Sequence, residues 1–436
     1  MNPASSLEDV IFLFDPLKSL SEPEELQKFY VDRGADVRSH FSLMLRANDI
    51  RNNNPVKLLF TGHKGAGKST EINKLILELK ELFFIVKVQT GQRPDVTYVD
   101  MLLKTAISLF REATDQEVIK KAPAQIAAGL WEDIALFMER RIYGELRLPD
   151  SSALKEFTAK INLYGVELEN KFELEPDSRA RIRQLTENQI AEITSKIDLV
   201  ADQIRHRYGR PVLFIFEDTD RLDHAVAKEL FYERAATFTK FRASAIFLLD
   251  IGLRYSDKFT GTLQNFQVFK MLPNIKLAQR DGSPYPAGEV FLKELILTRL
   301  AESLIAPDAL QLVIQNSGGL LRTLIALVRD GALVAAARNA TQIERQDVER
   351  ASNRLRSNFM LEAKDYLFLA QRHADKLLDA DPETQALLEK LALLEYANDT
   401  DWCDVHPLLL PEVARRTSPL EPVALPHQTD ELQPVR

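Results

Sequence analysis

A glycine-rich segment near residue 65 has the residue types and the spacing that bind phosphate groups. Glycine, four residues, glycine, lysine and serine follow one another in Gly62-His63-Lys64-Gly65-Ala66-Gly67-Lys68-Ser69. Glycines let backbone N–H groups point inward around phosphate oxygens, Lys68 can reach the β- and γ-phosphates, and Ser69 can ligate Mg²⁺. Together with Thr70, which follows it, the segment predicts a P-loop that holds a nucleoside triphosphate and Mg²⁺. The alternative is a turn that is glycine-rich by chance.

The segments on either side of this loop favour the phosphate-binding interpretation. Val56 to Thr61 is a short apolar run typical of a strand, and Ile72, Leu75, Ile76 and Leu79 follow at the spacing of one helical face. Strand, loop and helix in this order are what a parallel α/β sheet requires. The positive N-terminal end of such a helix adds to the attraction for phosphate.

A second apolar strand ends in two adjacent acids. Val212 to Phe216 is followed by Glu217 and Asp218, and Asp220 and Asp223 lie on the next loop, where they could assist. One carboxylate at such a strand end can hold the metal and another can orient an attacking water. We therefore predict that Glu217 and Asp218 complete the Mg²⁺ site with Ser69. The alternative is a core strand that ends in solvated acids.

The predicted nucleotide follows from a missing motif, and the predicted sheet type follows from the strands. An Asn-Lys-x-Asp guanine selector is missing from the sequence, so we expect ATP. Further strands are predicted at Phe83 to Gln89, Ser244 to Asp250 and Phe266 to Met271. One strand is expected to separate the P-loop strand from the acidic strand. The predicted fold is thus an α/β, P-loop NTPase of the additional-strand class with a five-stranded parallel sheet.

Two further side chains are candidates for sensing the γ-phosphate. Asp250 ends the predicted strand Ser244 to Leu249, where a polar sensor can sit; a solvated acid is the alternative. Arg322 follows Ser317-Gly318-Gly319 at a helix start, from which an arginine can fold onto the phosphate. A capped helix with a solvent-exposed arginine is the alternative there.

Composition and segment lengths predict several units in one chain. The second and third strands are separated by about 120 residues, too many for a simple crossover, so we expect an insertion. It should contain helices at Tyr98 to Glu112, Ile126 to Tyr143 and Ala180 to Tyr208, and a hairpin at Phe157 to Leu174. In chain order we expect an N-terminal helical segment (1–55), the P-loop core (56–277, with the insertion at about 90–210), a helical lid (278–340), a small C-terminal helical, hairpin or winged-helix-like region (341–410) and a disordered tail (411–436).

The charge and the cysteine count exclude several classes of protein. The 436 residues include 56 Lys and Arg against 64 Asp and Glu, for a net charge of −8, and Cys403 is the single cysteine. One cysteine excludes an intrachain disulfide framework and a multi-cysteine zinc site. The chain lacks a run of about 20 apolar residues. We expect a cytoplasmic protein without a membrane partner.

Several segments together resemble a family of bacterial ATPases. They are Phe29-Tyr30-Val31-Asp32-Arg33-Gly34, the P-loop with Thr70-Glu71, Phe216-Glu217-Asp218-Thr219-Asp220-Arg221-Leu222, the Ser-Gly-Gly-x-x-Arg element and Trp402-Cys403-Asp404-Val405-His406-Pro407. The chain resembles AAA+/STAND-type ATPases of the initiator-like, origin-recognition branch from about Phe29 to Leu410. The resemblance implies an ATP-dependent homo-oligomeric switch that regulates a protein effector, of the kind found in antiviral defence.

The resemblance also implies a site between subunits and raises a question about turnover. An arginine from a neighbouring subunit would reach the γ-phosphate, and Arg234 and Arg242 are candidates, with solvent-exposed helix arginines as the alternative. Glu217 stands where the family has Asp, and Asp218 where many members have the catalytic Glu. Because misplacing a catalytic group by about 1 Å can cost on the order of 100-fold in rate, we expect slow hydrolysis.

Two other functions remain open. A DNA-loading initiator or transposition-type ATPase would need a basic face, but Thr341 to Glu412 carries eight basic and fifteen acidic residues, a net charge of −7. This balance favours a protein partner over nucleic acid. A pseudo-ATPase scaffold, which binds ATP without turnover, is the other alternative.

Overall fold

Five parallel strands form the sheet that carries the P-loop. The computed structural model describes residues 3–34, 36–89, 96–115, 133, 136–137, 176–397 and 400–417. The strands are β1 (Lys57–Gly62), β2 (Phe84–Gln89), β3 (Val212–Glu217), β4 (Ser244–Leu249) and β5 (Val268–Leu272). They pair in the order β2-β3-β4-β1-β5, all in parallel. β4 lies between β1 and β3, so the predicted additional-strand P-loop NTPase fold is confirmed.

The burial of each strand matches its place in the sheet. β1 and β4 are buried at every residue, as expected for central parallel strands that are covered on both faces. β2, at one edge, alternates between buried and partly exposed residues. The apolar runs of the sequence therefore mark the centre of the sheet, and the more mixed run marks its edge.

Helices cover the two faces of the sheet and build the remaining units. Their bounds in chain order are α1 Leu7–Leu13, α2 Pro23–Phe29, α3 Val37–Leu45, α4 Lys68–Leu79, α5 Tyr98–Asp115, α6 Pro176–Glu187, α7 Ile190–Tyr208, α8 His224–Lys228, α9 Ala235–Phe238, α10 Ile251–Arg254, α11 Phe259–Leu263, α12 Pro286–Leu297, α13 Pro307–Ser317, α14 Leu321–Ala337, α15 Arg345–Arg356, α16 Ala363–Asp375, α17 Pro382–Glu389 and α18 Leu410–Thr417. Pro286, Pro307 and Pro382 each occupy a first helical position, where the missing N–H costs nothing.

Successive residues of the strands enter two different apolar cores. Phe214, Phe216 and Phe247 pack with α5 and α7 on one face. Phe60, Ile215 and their neighbours pack with α3 and α4 on the other face. The alternation follows from the two-residue period of a strand, and it fixes which face each strand-end side chain can reach.

Two smaller cores lie beyond the sheet. The lid helices α12 to α14 share one core with α1 and with α15 of the C-terminal region, so the first N-terminal helix packs on the lid. The C-terminal hairpin, β6 (Leu393–Ala397) and β7 (Asp401–Val405), is antiparallel. Its Leu394, Tyr396 and Trp402 belong to the core on the P-loop side of the sheet, so the hairpin packs directly on the face that carries α3 and α4.

Some element boundaries differ from the prediction. The single polar helix expected at Ala180 to Tyr208 is two helices, α6 and α7, separated at Asn188 and Gln189. Asn is a poor helix interior residue because its side chain competes for backbone hydrogen bonds. α18 occupies the first residues of the expected tail, and residues 418–436 lie outside the described residues. The predicted helix Ile126 to Tyr143, except for residues 133, 136 and 137, and the predicted hairpin Phe157 to Leu174 also lie outside them.

The length and polarity of the helices can be compared with what a membrane-spanning helix requires. Among the described residues, every helix is too short or too polar to cross a bilayer.

A buried phenylalanine of β4 provides a test of the sheet core. Phe247 is fully buried and stacks on Phe216 with ring centroids 4.4 Å apart. We expect Phe247→Ala to lower the free energy of unfolding by about 3–5 kcal/mol, because the cavity cannot collapse in a close-packed sheet. The measurement is denaturant unfolding followed by circular dichroism. Phe12→Ala, at a side chain that is 69% exposed, is the matched control and should change stability by less than about 0.5 kcal/mol. Similar losses in both variants would contradict this assignment of the core.

Candidate nucleotide site

The P-loop forms the turn between β1 and α4. β1 ends at Gly62 and α4 begins at Lys68, with Gly65 and Gly67 in between at φ +96° and +101°. These left-handed backbone conformations are open to glycine and costly for other residues, so the spacing of the glycines determines the loop. Ser69 is exposed at the start of α4. The expected P-loop geometry is therefore present, at the carboxyl edge of the sheet.

Lys68 has three oxygen partners. Its Nζ donates to the carbonyl oxygens of Gly62 (2.7 Å) and His63 (3.0 Å). It also lies 2.8 Å from Asp220 Oδ2, and the two side chains are only 5% and 9% exposed. Burial opposes ionisation of Asp220, but the Lys68 charge and hydrogen bond outweigh it and hold the pKa of that carboxyl below its usual range.

A short turn after β3 brings Asp220 to the lysine. Asp218 adopts φ +63°, and Thr219–Arg221 form one 3₁₀ turn. The Thr219 hydroxyl, fully buried, donates to the carbonyl of Leu248 and accepts from its N–H at 3.1 Å. The turn is thereby fastened to β4, the strand between β3 and the P-loop strand. Asp220 is carried across the edge of the sheet as a result.

Glu217 and Asp218 lie at the same edge but contact other cations. Glu217 Oε1 is 2.9 Å from Lys87 Nζ on β2, and Asp218 Oδ1 is 3.2 Å from Nη1 of Arg221. Burial raises the pKa of Asp218, and the positive charge of Arg221 opposes that rise. The carboxylate that contacts the P-loop lysine is thus Asp220, for which the sequence predicts only an assisting role. The roles of Glu217 and Asp218 in metal and water binding stay predictions.

The oxygen donors at this edge suit a magnesium ion. Glu217 ends β3 and Asp218 begins the turn that follows it, and the hydroxyl of Ser69 lies at the start of α4. Mg²⁺ prefers oxygen ligands and is usually held by one or two carboxylates together with phosphates and water. In the described ranges, no three His, Cys, Asp or Glu side chains gather closely enough to hold a metal alone. The two carboxylates and the Ser69 hydroxyl are the oxygen ligands that Mg²⁺ commonly takes together with phosphates.

The lid begins directly on the P-loop. The backbone N–H of Arg322 donates to Gly65 O at 3.0 Å, and a Cβ on Gly65 would lie 2.3 Å from the Arg322 Cβ. The Arg322 Nε is buried and has no hydrogen-bond partner in the part of the chain that the structure describes. Burial and the charge of Arg221 lower the pKa of Arg322. An anion at the P-loop would supply the missing acceptor.

Asp250 is brought to the P-loop as well. Its Oδ1 accepts from the N–H of Gly252 at 2.9 Å and caps α10, while its Oδ2 lies 2.9 Å from Nζ of Lys64. The residue is buried. It combines the structural role of a helix cap with a position beside the phosphate-binding loop.

The two arginine candidates for a neighbouring subunit lie elsewhere. Arg234 is placed over the ring of Tyr98, 5.2 Å from its centroid. Arg242 precedes β4, at the opposite edge of the sheet from the P-loop, and its guanidinium lies 3.4 Å from both Asp198 and Asp202. Neither gathers with the P-loop of its own chain, and a role between subunits stays a prediction for both.

Two contacts of the P-loop were missed by sequence reasoning. Arg33 donates from Nη1 to Ala66 O at 2.8 Å and from Nη2 to Pro273 O. The Nε2 of His63 accepts from the backbone N–H of Glu395 in β6 at 2.8 Å. Arg33 was noted only as part of a family-like segment, and the pairing of His63 joins residues 332 positions apart. A local pattern carries no signal for either contact.

His63 is a neutral, buried side chain. Burial and the nearby Lys68 charge lower the pKa of His63 to about 3. The adjoining Glu395 is also buried, where burial raises its pKa to about 7 against the attraction of Arg254. The second residue of the P-loop is therefore joined to the C-terminal hairpin through a hydrogen bond that requires an unprotonated imidazole.

The contact between Gly65 and the lid predicts the effect of a single methyl group. Gly65→Ala should displace the start of α14 and lower the free energy of unfolding by about 1–3 kcal/mol beyond the backbone strain, because Arg322 already fills the space. Gly209→Ala is the matched control, since Gly209 has φ +66° and open space around its Cβ position. It should cost about 1–2 kcal/mol from backbone strain alone. Equal losses in the two variants, measured by denaturant unfolding, would refute the close approach of the lid.

The buried His63 predicts a pH dependence of stability. Its folded pKa of about 3 lies below the ordinary value of 6.5, so the unfolded chain takes up the proton first as the pH falls. The contribution of the neutral His63 to the free energy of unfolding is fully present above pH 6.5. It is lost as the pH falls towards 3, at up to about 1.4 kcal/mol per pH unit. His63→Gln keeps an acceptor but does not titrate. Denaturant unfolding between pH 7 and 5 should show a shallower slope for this variant, and identical slopes would contradict the buried, neutral state.

Comparison with known proteins gives similarity in structure only. No protein-family model matches the chain, and no curated protein matches its sequence. Cdc6p from Pyrobaculum aerophilum is similar at 14% identity and a TM-score of 0.40, over 93% of this chain and 97% of that chain. The Aeropyrum pernix ORC1 protein, solved in complex with DNA, is similar at 12% identity and a TM-score of 0.42, over 93% and 96%. A Walker-type ATPase of Pyrococcus abyssi is similar at 13% identity and a TM-score of 0.42, over 92% and 99%. At these low values, the fold assignment rests on the strand order and the P-loop described above.

Proposed function

We propose that the protein binds ATP with Mg²⁺ at the carboxyl edge of the sheet, hydrolyses it slowly and acts as a nucleotide-dependent oligomeric switch. The observation that carries the proposal is the meeting of three elements at one point. The P-loop presents Lys68, the turn after β3 presents its acids, and the lid places Arg322 against Gly65. A phosphate-binding loop, oxygen ligands for a cation and a lid cation are the parts that phosphoryl transfer needs.

Each part has a role that follows from its position. The P-loop amides and Lys68 hold the phosphates, with Lys64 beside them. Ser69 and the Glu217–Asp218 pair hold the cation, and one of these two acids orients the attacking water. Bound Mg²⁺ neutralises the charge that develops on the phosphate oxygens. Arg322 supplies a positive charge at the γ-phosphate and couples its presence to the position of the lid.

The contacts of Glu217 and Asp218 support slow turnover. Both acids are engaged with cations, Lys87 and Arg221, and neither touches Lys68. A water-orienting carboxylate has to turn away from its cation before it can work, which for pairs this exposed adds only about 1 kcal/mol or less to the barrier. The lengths of the two acids are also reversed relative to the family pattern. A turnover number typical of motor ATPases would contradict this part of the proposal.

A protein effector is the proposed partner, and nucleic acid is less favoured. The C-terminal region carries a net charge of −7 between Thr341 and Glu412, whereas phosphate backbones require a basic face. The hairpin of this region contacts the P-loop through His63, so nucleotide binding has a direct route to the surface where a partner would dock. A role in antiviral defence is supported by the family resemblance alone.

The test is the mass of the purified protein by light scattering without nucleotide, with ADP, and with ATP plus Mg²⁺, while phosphate release is recorded. We expect ATP-dependent assembly and slow phosphate release in the wild type. Lys68→Ala should abolish both, because the phosphates lose their main cation. The double variant Glu217→Gln and Asp218→Asn should assemble but release phosphate even more slowly. Lys80→Ala, an exposed lysine at the other end of α4, is the matched control.

The possible outcomes separate the alternatives. ATP binding without phosphate release would replace the enzyme with a pseudo-ATPase scaffold. An unchanged mass in every nucleotide state would remove the oligomeric switch and leave a monomeric ATPase. Salt-sensitive binding of duplex DNA would favour the initiator or transposition-type function. Absence of ATP binding in the wild type would overturn the proposal as a whole.

A further inference from the structure

The acids at the carboxyl edge of the sheet are paired with basic side chains. Among the residues that the structure describes, four ion pairs at this edge are called the edge pairs below: Lys64–Asp250 (2.9 Å), Lys68–Asp220 (2.8 Å), Lys87–Glu217 (2.9 Å) and Arg221–Asp218 (3.2 Å). The lysines are the groups that phosphates require, and the acids are the groups that a cation requires. The site therefore contains both halves of its ligand's charge pattern, neutralised against each other.

The edge pairs differ in burial. In Lys68–Asp220 the side chains are 5% and 9% exposed, whereas the cations of the other three pairs are 36–41% exposed. Exposed ion pairs are screened by water and separate at little cost. A buried pair that loses one partner leaves an uncompensated charge in a medium of low dielectric constant, which is costly. The Lys68–Asp220 pair is thus the one that determines how a ligand enters.

We propose that Asp220 is a built-in counter-anion of the P-loop lysine, which occupies Lys68 in place of a phosphate and makes the polyphosphate bind together with a divalent cation rather than alone. The inference rests on the proposed function, because it assigns a further residue to the same nucleotide site. It goes beyond that function by stating which form of the nucleotide the site selects and which side chain imposes the selection.

Metal-free ATP meets a penalty at this site. To reach Lys68, its phosphates must displace Asp220, and the displaced carboxylate remains on a turn that Thr219 fastens to β4. The carboxylate then faces the polyphosphate at close range without a cation of its own. Two anions in a buried site repel one another strongly, since the low dielectric constant amplifies their interaction. The affinity for metal-free ATP is reduced accordingly.

A divalent cation removes the penalty. Its positive charge would offset the negative charge of Asp220 once Lys68 binds the phosphates instead. The exposed Lys87 and Arg221 give up Glu217 and Asp218 at little cost. A cation that binds without phosphates gains less binding free energy, because the positive charges of Lys68, Lys64 and Arg322 remain near its site and repel it. Each ligand therefore raises the affinity for the other by the same factor, as linkage requires.

The experiment measures the dissociation constant of ATP by calorimetry at constant ionic strength, once with Mg²⁺ and once with EDTA. In the wild type we expect Mg²⁺ to tighten binding by about 100-fold or more, the range implied by separating a buried ion pair. Asp220→Asn should bind metal-free ATP about tenfold or more tightly than the wild type, so that the effect of Mg²⁺ shrinks to about tenfold or less. Asp202→Asn, which removes an acid paired with Arg242 at the opposite edge, is the matched control and should behave as the wild type.

The direction of the change distinguishes this role from metal ligation. If the effect of Mg²⁺ shrinks because Asp220→Asn binds ATP with Mg²⁺ more weakly, Asp220 is a metal ligand and the proposal is overturned. It is also overturned if the wild type binds ATP equally with and without Mg²⁺, a result that needs no variant. Asp220→Glu keeps the negative charge and is the variant to use if Asp220→Asn fails to fold. It should retain the full effect of Mg²⁺ on the dissociation constant of ATP. A wild type that binds no ATP under either condition would overturn the proposed function as well, so the two failures are distinguishable.

Discussion

The ion pair between Lys68 and Asp220 is the constraint on which the rest of the site depends. A lysine at the start of α4 points into a nearly closed space, where an isolated ammonium group would be costly. The protein satisfies it with two P-loop carbonyls and one carboxylate. That carboxylate must come from another strand, so β3, its turn and the fastening of Thr219 to β4 are all required to place it. The sheet order β3-β4-β1 sets the distance that the turn has to bridge.

Contacts beyond the sheet extend this arrangement to the whole chain. Arg33 from the N-terminal segment and Arg322 from the lid bind the P-loop backbone at Ala66 and Gly65. His63 binds the C-terminal hairpin at Glu395. Three separate parts of the chain thus contact a loop of eight residues through hydrogen bonds to its backbone or side chains. A ligand that changes the shape of this loop would act on all three, and the proposed switch depends on this connection.

Sequence reasoning predicted the features that depend on local pattern. The apolar runs located the five strands, the glycine spacing located the P-loop, and the Ser-Gly-Gly start of a helix placed Arg322 near it. It did not rank Asp220 above Glu217 and Asp218, because the direction of each carboxylate depends on the left-handed backbone at Asp218. An apolar run indicates where a strand ends, but it does not determine the conformation of the turn that follows.

The sequence pattern did not predict the long-range contacts, for a different reason. The bond from Glu395 to His63 and the bond from Arg33 to Ala66 depend on how separate units dock. Neither residue belongs to a motif that specifies its partner. Lys87 was overlooked because a lysine on an edge strand is ordinarily a solvated residue, and its role appears only when the register places β2 beside β3.

The most direct test of this account is a crystal structure with Mg²⁺ and a non-hydrolysable ATP analogue. The account predicts that Lys68 Nζ contacts phosphate oxygens and has moved away from Asp220 Oδ2, with the cation between the phosphates and the turn after β3. A structure in which nucleotide is bound while Lys68 Nζ and Asp220 Oδ2 remain paired at 2.8 Å would contradict it.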